Sequence, residues 1–238
     1  MYKMNLYLIL IIQLSLLIIL SPSYINCDYA ALLRCDNGKT NLQIDWDGSS
    51  AAYTCHQPPE LFRHIPSLTP KHECDHIPDT YRAAHICMDK PIFYDKVLPT
   101  HESHRPIWPK FGEYRYVPPQ RWVHGAEHGA VIMLYHPCAD KTEIDMFKDL
   151  VVNCIRKHII TPNNLLDPSR PFAMVAWGCR LTMNRVDKAT VIWFIKNYGM
   201  KGPEAGLATD GYYKEALIKA AKIPIGSDIN DSNLCPNM

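Results

Sequence analysis

The sequence predicts an α+β (or small α/β) domain, a sheet built on a strand–helix–strand–helix core with an irregular, disulfide-stapled N-terminal arm. Three observations carry this. Ala130–Tyr135 and Phe172–Trp177 are continuous apolar runs, the pattern of strands buried on both faces. Apolar residues recur at helical spacing after each run. Residues 28–120 are rich in proline and show no sustained helical period.

The elements follow in order. Met1–Lys3 is short and basic, Leu6–Leu20 is apolar apart from Gln13 and Ser15, and Ser21-Pro22-Ser23 breaks the run. This is the layout of a signal peptide over residues 1–27, and the run is shorter than the ~20 apolar residues that span a bilayer. An uncleaved N-terminal anchor is the alternative. The arm, 28–120, contains the turn signal Asp36-Asn37-Gly38-Lys39 and is expected to pack on the core, adding a strand near Glu113–Val117. The core, 121–223, starts with the Ala130–Tyr135 strand. Asp140 then caps a helix, with Glu143 completing a capping box. Ile144, Phe147, Leu150, Val151, Cys154 and Ile155 form its buried stripe. After the Phe172–Trp177 strand, Asp187 caps a second helix that Gly199 closes. Asp210 is expected to cap a third helix reaching about Lys222. A strand–helix–strand crossover favours parallel pairing of the two apolar strands. Residues 224–238 read as a flexible tail, in which Asn230-Asp-Ser232 is a glycosylation sequon at Asn230.

A formal net charge of +1 shows no basic excess, so no nucleic-acid partner is expected. No membrane contact is expected after signal cleavage. An extracellular protein partner fits the class, without a feature to identify it. Of nine cysteines, eight remain once residue 27 is removed, an even number that suits disulfides in an exported chain. Short loops favour Cys35–Cys55 and Cys74–Cys87. Parallel core strands would bring Cys138 and Cys179 together at equivalent ends.

Ten of the eleven histidines lie between His56 and His136. Within "RWVHGAEHGAVIMLYHPC", His124, Glu127 and His128 spell H-x-x-E-H, the zinc signature of inverzincin metallopeptidases. In a helix, His124 and His128 share one face a turn apart. In a strand their Cα atoms lie ~13 Å apart, too far for joint ligation. Gly125 and Gly129 each cost about 1 kcal/mol in a helix interior, so one helical turn or a tight loop is expected. A peptidase would need a distant glutamate, for which Glu204 is the nominee, and the shortness of the chain disfavours it. Two readings stay open. The first is a secreted metal-binding domain, catalytic or not, with His104, His124, Glu127 and His128 as ligands for Zn or Cu. The second is a non-catalytic interaction module in which the same cluster is structural, Glu127 accepting from Arg121 or Arg115. Trp177 and Gly178, at a strand end, are candidates to line a pocket, with Trp177 as core the alternative.

The segment "HRPIWPKFGEYRYVPPQRWVHGAEHGAVIMLYHPCA", followed in order by "HIITP", "RPFAMVAWG", "FIKNYG" and "KGPE", resembles the tumor protein p53-inducible protein 13 family. The shorter pattern H-x-x-E-H-G before an apolar strand resembles a bacterial domain-of-unknown-function family. The likeness covers roughly 85–205, more weakly "CDNGKTNLQIDW". It implies no established reaction. It implies a link to growth suppression and a C-terminal membrane anchor in the vertebrate member. This sequence reaches Met238 without such a segment, so a secreted product is expected.

Overall fold

The computed structural model describes residues 34–207 and 209–238; the expected signal peptide lies outside them. Seven strands form one mixed sheet in the order β1-β6-β5-β3-β4-β2-β7. In chain order they are β1 (Lys71–Cys74), β2 (Gly112–Tyr114), β3 (Val131–Tyr135), β4 (His158–Pro162), β5 (Phe172–Ala176), β6 (Cys179–Met183) and β7 (Leu217–Ala220). Among the described residues three α-helices pack around it: α1 (Pro119–Glu127), α2 (Lys141–Cys154) and α3 (Lys188–Tyr198). The fold class is therefore α+β, as expected.

Both faces of the sheet are covered. Val131 and Met133 of β3 point into a core shared with Phe147 and Val151 of α2 and Val191 and Phe194 of α3. Ile132 and Leu134 point the other way, onto Trp122, Val123 and Ala126 of α1 and onto Phe111 and Ile107 of the arm. This two-sided burial is why β3 has no polar alternation. Asp140 and Asp187 cap their helices, accepting from the Glu143 amide at 3.0 Å and the Thr190 amide at 2.7 Å, but the expected capping box does not close, because the Glu143 carboxylate accepts instead from Arg185 and the Val186 amide.

Four expectations are corrected. The crossover from β3 through α2 returns to β4, which pairs with β3 in parallel, whereas β5 runs antiparallel to β3. That orientation separates Cys138 from Cys179. Tyr135 lies opposite Phe172, so Cys138 sits near the start of β5, while Cys179 follows its end. The observed disulfides are Cys35–Cys87, Cys55–Cys138, Cys74–Cys179 and Cys154–Cys235. None of the three expected pairs forms. Register explains one directly: Cys74 and Cys179 are cross-strand neighbours in β1 and β6. The third expected helix is absent, and Leu217–Ala220 is instead the edge strand β7 on β2. Gly112 allows this pairing, since a Cβ there would lie 2.2 Å from the Lys219 carbonyl oxygen. Asp210 caps nothing; it pairs with Arg156 at 3.1 Å. Finally, the H-x-x-E-H segment is more than one helical turn, because α1 runs for nine residues.

The stretch read as a tail is tied to the core. Asp231 is buried, and its carboxylate accepts from the Arg156 and Lys157 amides at 2.6 and 2.9 Å. The sequon residue Asn230 is exposed.

Candidate metal centre

The site is assembled at the C-terminal end of α1. Pro119 opens the helix, at a position where its missing N–H costs nothing. Gly125 faces β4 so closely that a Cβ would lie 2.4 Å from Ile159 Cδ1. Gly129 is not interior to the helix. It adopts φ +84° just past the helix end, where its amide donates to the Ala126 carbonyl and the Ala130 amide to that of Gly125. This is a Schellman closure, in which glycine is favoured because the left-handed region strains other residues.

Helical geometry brings His124 and His128 together, with their Nε2 atoms 3.1 Å apart. The arm supplies two more imidazoles. His85 and His104 pair as a short parallel bridge, and the Arg105 amide donates to the Gln120 carbonyl, holding this segment against α1. The His104 and His124 rings lie 4.4 Å apart, those of His85 and His124 4.7 Å. Glu127 closes the group, its Oε2 3.0 Å from His104 Nε2 and 4.0 Å from His85 Nε2. One ligand atom from each of His85, His104, His124 and Glu127 falls within a common 4.8 Å span.

The tautomers follow from the neighbours. His124 Nδ1 donates to the Arg105 carbonyl at 2.6 Å, and His104 Nδ1 to that of Glu102 at 2.9 Å. A carbonyl oxygen can only accept, so each Nδ1 carries a proton, and in the neutral ring the Nε2 lone pair faces the cluster. This backbone anchoring is the outer-sphere arrangement found behind metal-ligating histidines. His104 Nε2 and His85 Nε2 are buried and face the Glu127 carboxylate. Burial, reinforced by neighbouring imidazoles, drives the His124 pKa well below its usual value. Burial also pushes His128 down to about 4 and lowers His85. All three are neutral near pH 7, the form that ligates metals.

Glu204 arrives from the loop after α3. Its amide donates to the Glu127 carbonyl at 3.0 Å, and Gly202 passes so close that a Cβ would meet the same oxygen at 2.1 Å. Lys157 fixes this loop, its Nζ donating to the carbonyls of His128, Ala205 and Leu207 at 3.1, 2.7 and 2.7 Å. Glu204 Oε2 thereby reaches 3.3 Å from His128 Nε2. Burial first, then the Glu127 carboxylate, raises its pKa.

The four candidate ligands read from the sequence, His104, His124, Glu127 and His128, are thus brought together. Glu127 does not meet Arg121, which pairs with Asp36 instead. His85 was not read from the sequence, and only its place in the histidine-rich region pointed to it. Trp177 and Gly178 lie apart, as the turn of the β5–β6 hairpin. Trp177 is half-buried near Tyr81 and His101, and Gly178, at φ +77°, donates to the Thr100 carbonyl. They sit at an antiparallel turn rather than at the end of a parallel strand.

Residues 85–211 match the model of the family described as Protein of unknown function (DUF3105). The chain belongs to this family. Comparison with curated proteins found no match, and comparison with solved structures found none. The DUF3105 span contains all six cluster residues, His85, His104, His124, Glu127, His128 and Glu204. Its relation to the disulfides is different. Each bridge joins one cysteine inside the span (Cys87, Cys138, Cys154, Cys179) to one outside it (Cys35, Cys55, Cys74, Cys235). Four disulfides suggest an oxidising, extracellular or secretory environment. Among the described residues no helix is long and apolar enough to cross a membrane.

Proposed function

We propose that this DUF3105 protein is a secreted, p53-inducible protein 13-like domain that holds one transition-metal ion, Zn or Cu, in its His/Glu cluster. The observation that carries the reading is the inward-facing pair His104 Nε2 and His124 Nε2. Each is held by a backbone carbonyl on its far side, with His85 and Glu127 completing a set inside 4.8 Å. A neutral imidazole with its proton on Nδ1 presents a lone pair to the Glu127 carboxylate at 3.0 Å, and two acceptors at that distance need a cation or a shared proton between them. Imidazole and carboxylate donors suit Zn and Cu. In this reading Glu127 is a ligand rather than a peptidase base, since it faces the arm histidines. Removal of residues 1–27 as a signal peptide, secretion, and glycan addition at Asn230 belong to the same proposal, supported by the disulfides and the exposure of Asn230.

One observation favours the structural alternative. His128 Nε2–H can donate directly to His124 Nε2 across 3.1 Å, which binds the cluster without an ion. The two separate on metal analysis and thermal melting of protein purified without a histidine tag. A bound ion stabilises the folded state by mass action, so chelator lowers Tm and added ion restores it. A chain that takes up neither Zn nor Cu, with a Tm indifferent to chelator, leaves the cluster as a structural clasp.

A further inference from the structure

The cluster contains more donors than one ion uses, and they fall into two overlapping groups. His85, His104, His124 and Glu127 form one; His124, His128 and Glu204 form the other. His124 belongs to both. Its Nδ1 is committed to the Arg105 carbonyl, so Nε2 is the atom it offers to either group. One lone pair binds one ion, and the two groups cannot be filled together through His124.

Each group also has one partly exposed member. In the first, His104, His124 and Glu127 are buried, while the His85 side chain is 29% exposed. In the second, His124 and His128 are buried, while the Glu204 side chain is 44% exposed. The exposed members come from different parts of the chain, His85 from the arm and Glu204 from the loop that Lys157 pins over the end of α1.

We infer that the cluster is a two-position site for a single metal ion, which pivots on His124 between the His85 side and the Glu204 side. The inference rests on the metal-binding reading above. In the exchange the ion keeps its bond to His124 Nε2, releases His85, His104 and Glu127, and gains His128 Nε2 and a Glu204 oxygen. No electron moves, and the carboxylate charge on the ion stays at one. An ion that moves between two positions, each with one partly exposed member, is cargo and not a fixed cofactor.

Copper(II) is the suitable probe, because it binds nitrogen and oxygen donors most tightly among the divalent first-row ions. The disulfide-bonded chain, made by secretory expression without a tag and stripped of metal, is titrated and followed by electron paramagnetic resonance. The expected result is saturation at one ion per chain with two overlapping copper signals. Glu204→Gln removes one signal and His85→Ala weakens the other, each leaving the stoichiometry at one. Release to excess chelator is slower in both variants than in the parent. His124→Ala removes both signals. Should that variant not fold, the two partly exposed substitutions decide alone. Two ions per chain, a single signal indifferent to Glu204→Gln, or release rates unchanged in both variants overturns the two-position site while leaving metal binding intact. No copper uptake by the parent overturns both.

Discussion

The Arg121 guanidinium meets the Asp36 carboxylate in a two-pronged ion pair, with both side chains at 0% exposure. Asp36 also accepts from the Ile107 and Gly38 amides at 3.0 Å, and Arg121 donates to the Ile107 carbonyl at 2.9 Å. The arm at Asp36 is thus bound to α1 through charge that water cannot reach. Removing one partner strands the other in the interior, at a cost of about 3–5 kcal/mol. Asp36→Ala should therefore lower the denaturation midpoint sharply, whereas the double change Asp36→Ala with Arg121→Met should recover part of the loss. A double variant that is the sum of the two singles would show that the pair is not coupled.

Gly125 and Gly129 should respond differently from glycines in an open helix. Alanine at a solvent-exposed helix position gains about 1 kcal/mol over glycine. At 125 the added methyl meets the buried Ile159 side chain, and overpacking of this kind costs about 1–3 kcal/mol. At 129 it meets Ala205 at 2.7 Å on a residue already at φ +84°. Both substitutions are expected to destabilise in urea, Gly129→Ala the more. Stabilisation by Gly125→Ala would show that β4 yields at that contact.

Acid should weaken the fold over a definite range. His158 is fully buried with Nδ1 donating to the Ile155 carbonyl, and burial pushes its pKa down to about 4. The unfolded imidazole titrates near ~6.5. Between these values the unfolded chain binds a proton that the folded chain refuses. Stability is full above about pH 6.5 and falls as pH drops toward 4. His128, also pushed to about 4, adds to the same slope. Tm measured from pH 7 to 4 should decline, and less steeply in His158→Gln. An equal slope in that variant would assign the acid response elsewhere.

The Cys154–Cys235 bridge closes the excursion beyond α2, with a sequence separation of 81. Chain-entropy arguments give about 4–5 kcal/mol for a loop of this size. Changing both cysteines to serine should lower stability by an amount in the 2–5 kcal/mol range, with the Asp231 contacts to Arg156 and Lys157 as the remaining tie. Unfolding monitored by near-ultraviolet circular dichroism measures it, and a shift under 1 kcal/mol would mean that Asp231 alone holds the segment.

The parts of the fold legible in the sequence were those with local chemistry. Asp140 and Asp187 announce their helices because a carboxylate that accepts an early amide leaves a recognisable spacing. The apolar runs at 131–135 and 172–176 announce buried strands. β6 carried an alternation, with Cys179, Leu181 and Met183 inward and Arg180 and Thr182 outward, yet five residues of mixed type are a weak signal. β4, short and bounded by His158 and Pro162, offered less. The segment before Lys222 has helical composition, but β2 presents an open edge to it and tertiary pairing overrides propensity. In the sequence the glycines around α1 read as interior costs. Gly129 is a terminal glycine of the kind that ends helices, and with Pro119 it marks both limits of α1. At the site, the H-x-x-E-H spacing exposed the α1 ligands because one helix holds them. His85 had no local mark, since only the arm's path brings it within reach.

The placement of the disulfides has a consequence for resistance to proteolysis. Each segment flanking the DUF3105 span is joined to that span at its own anchor, at Cys35, Cys55 and Cys74 before it and at Cys235 after it. A protease that cuts the exposed chain once between Cys35 and Cys74 therefore frees nothing. Both new ends remain fastened to the same body.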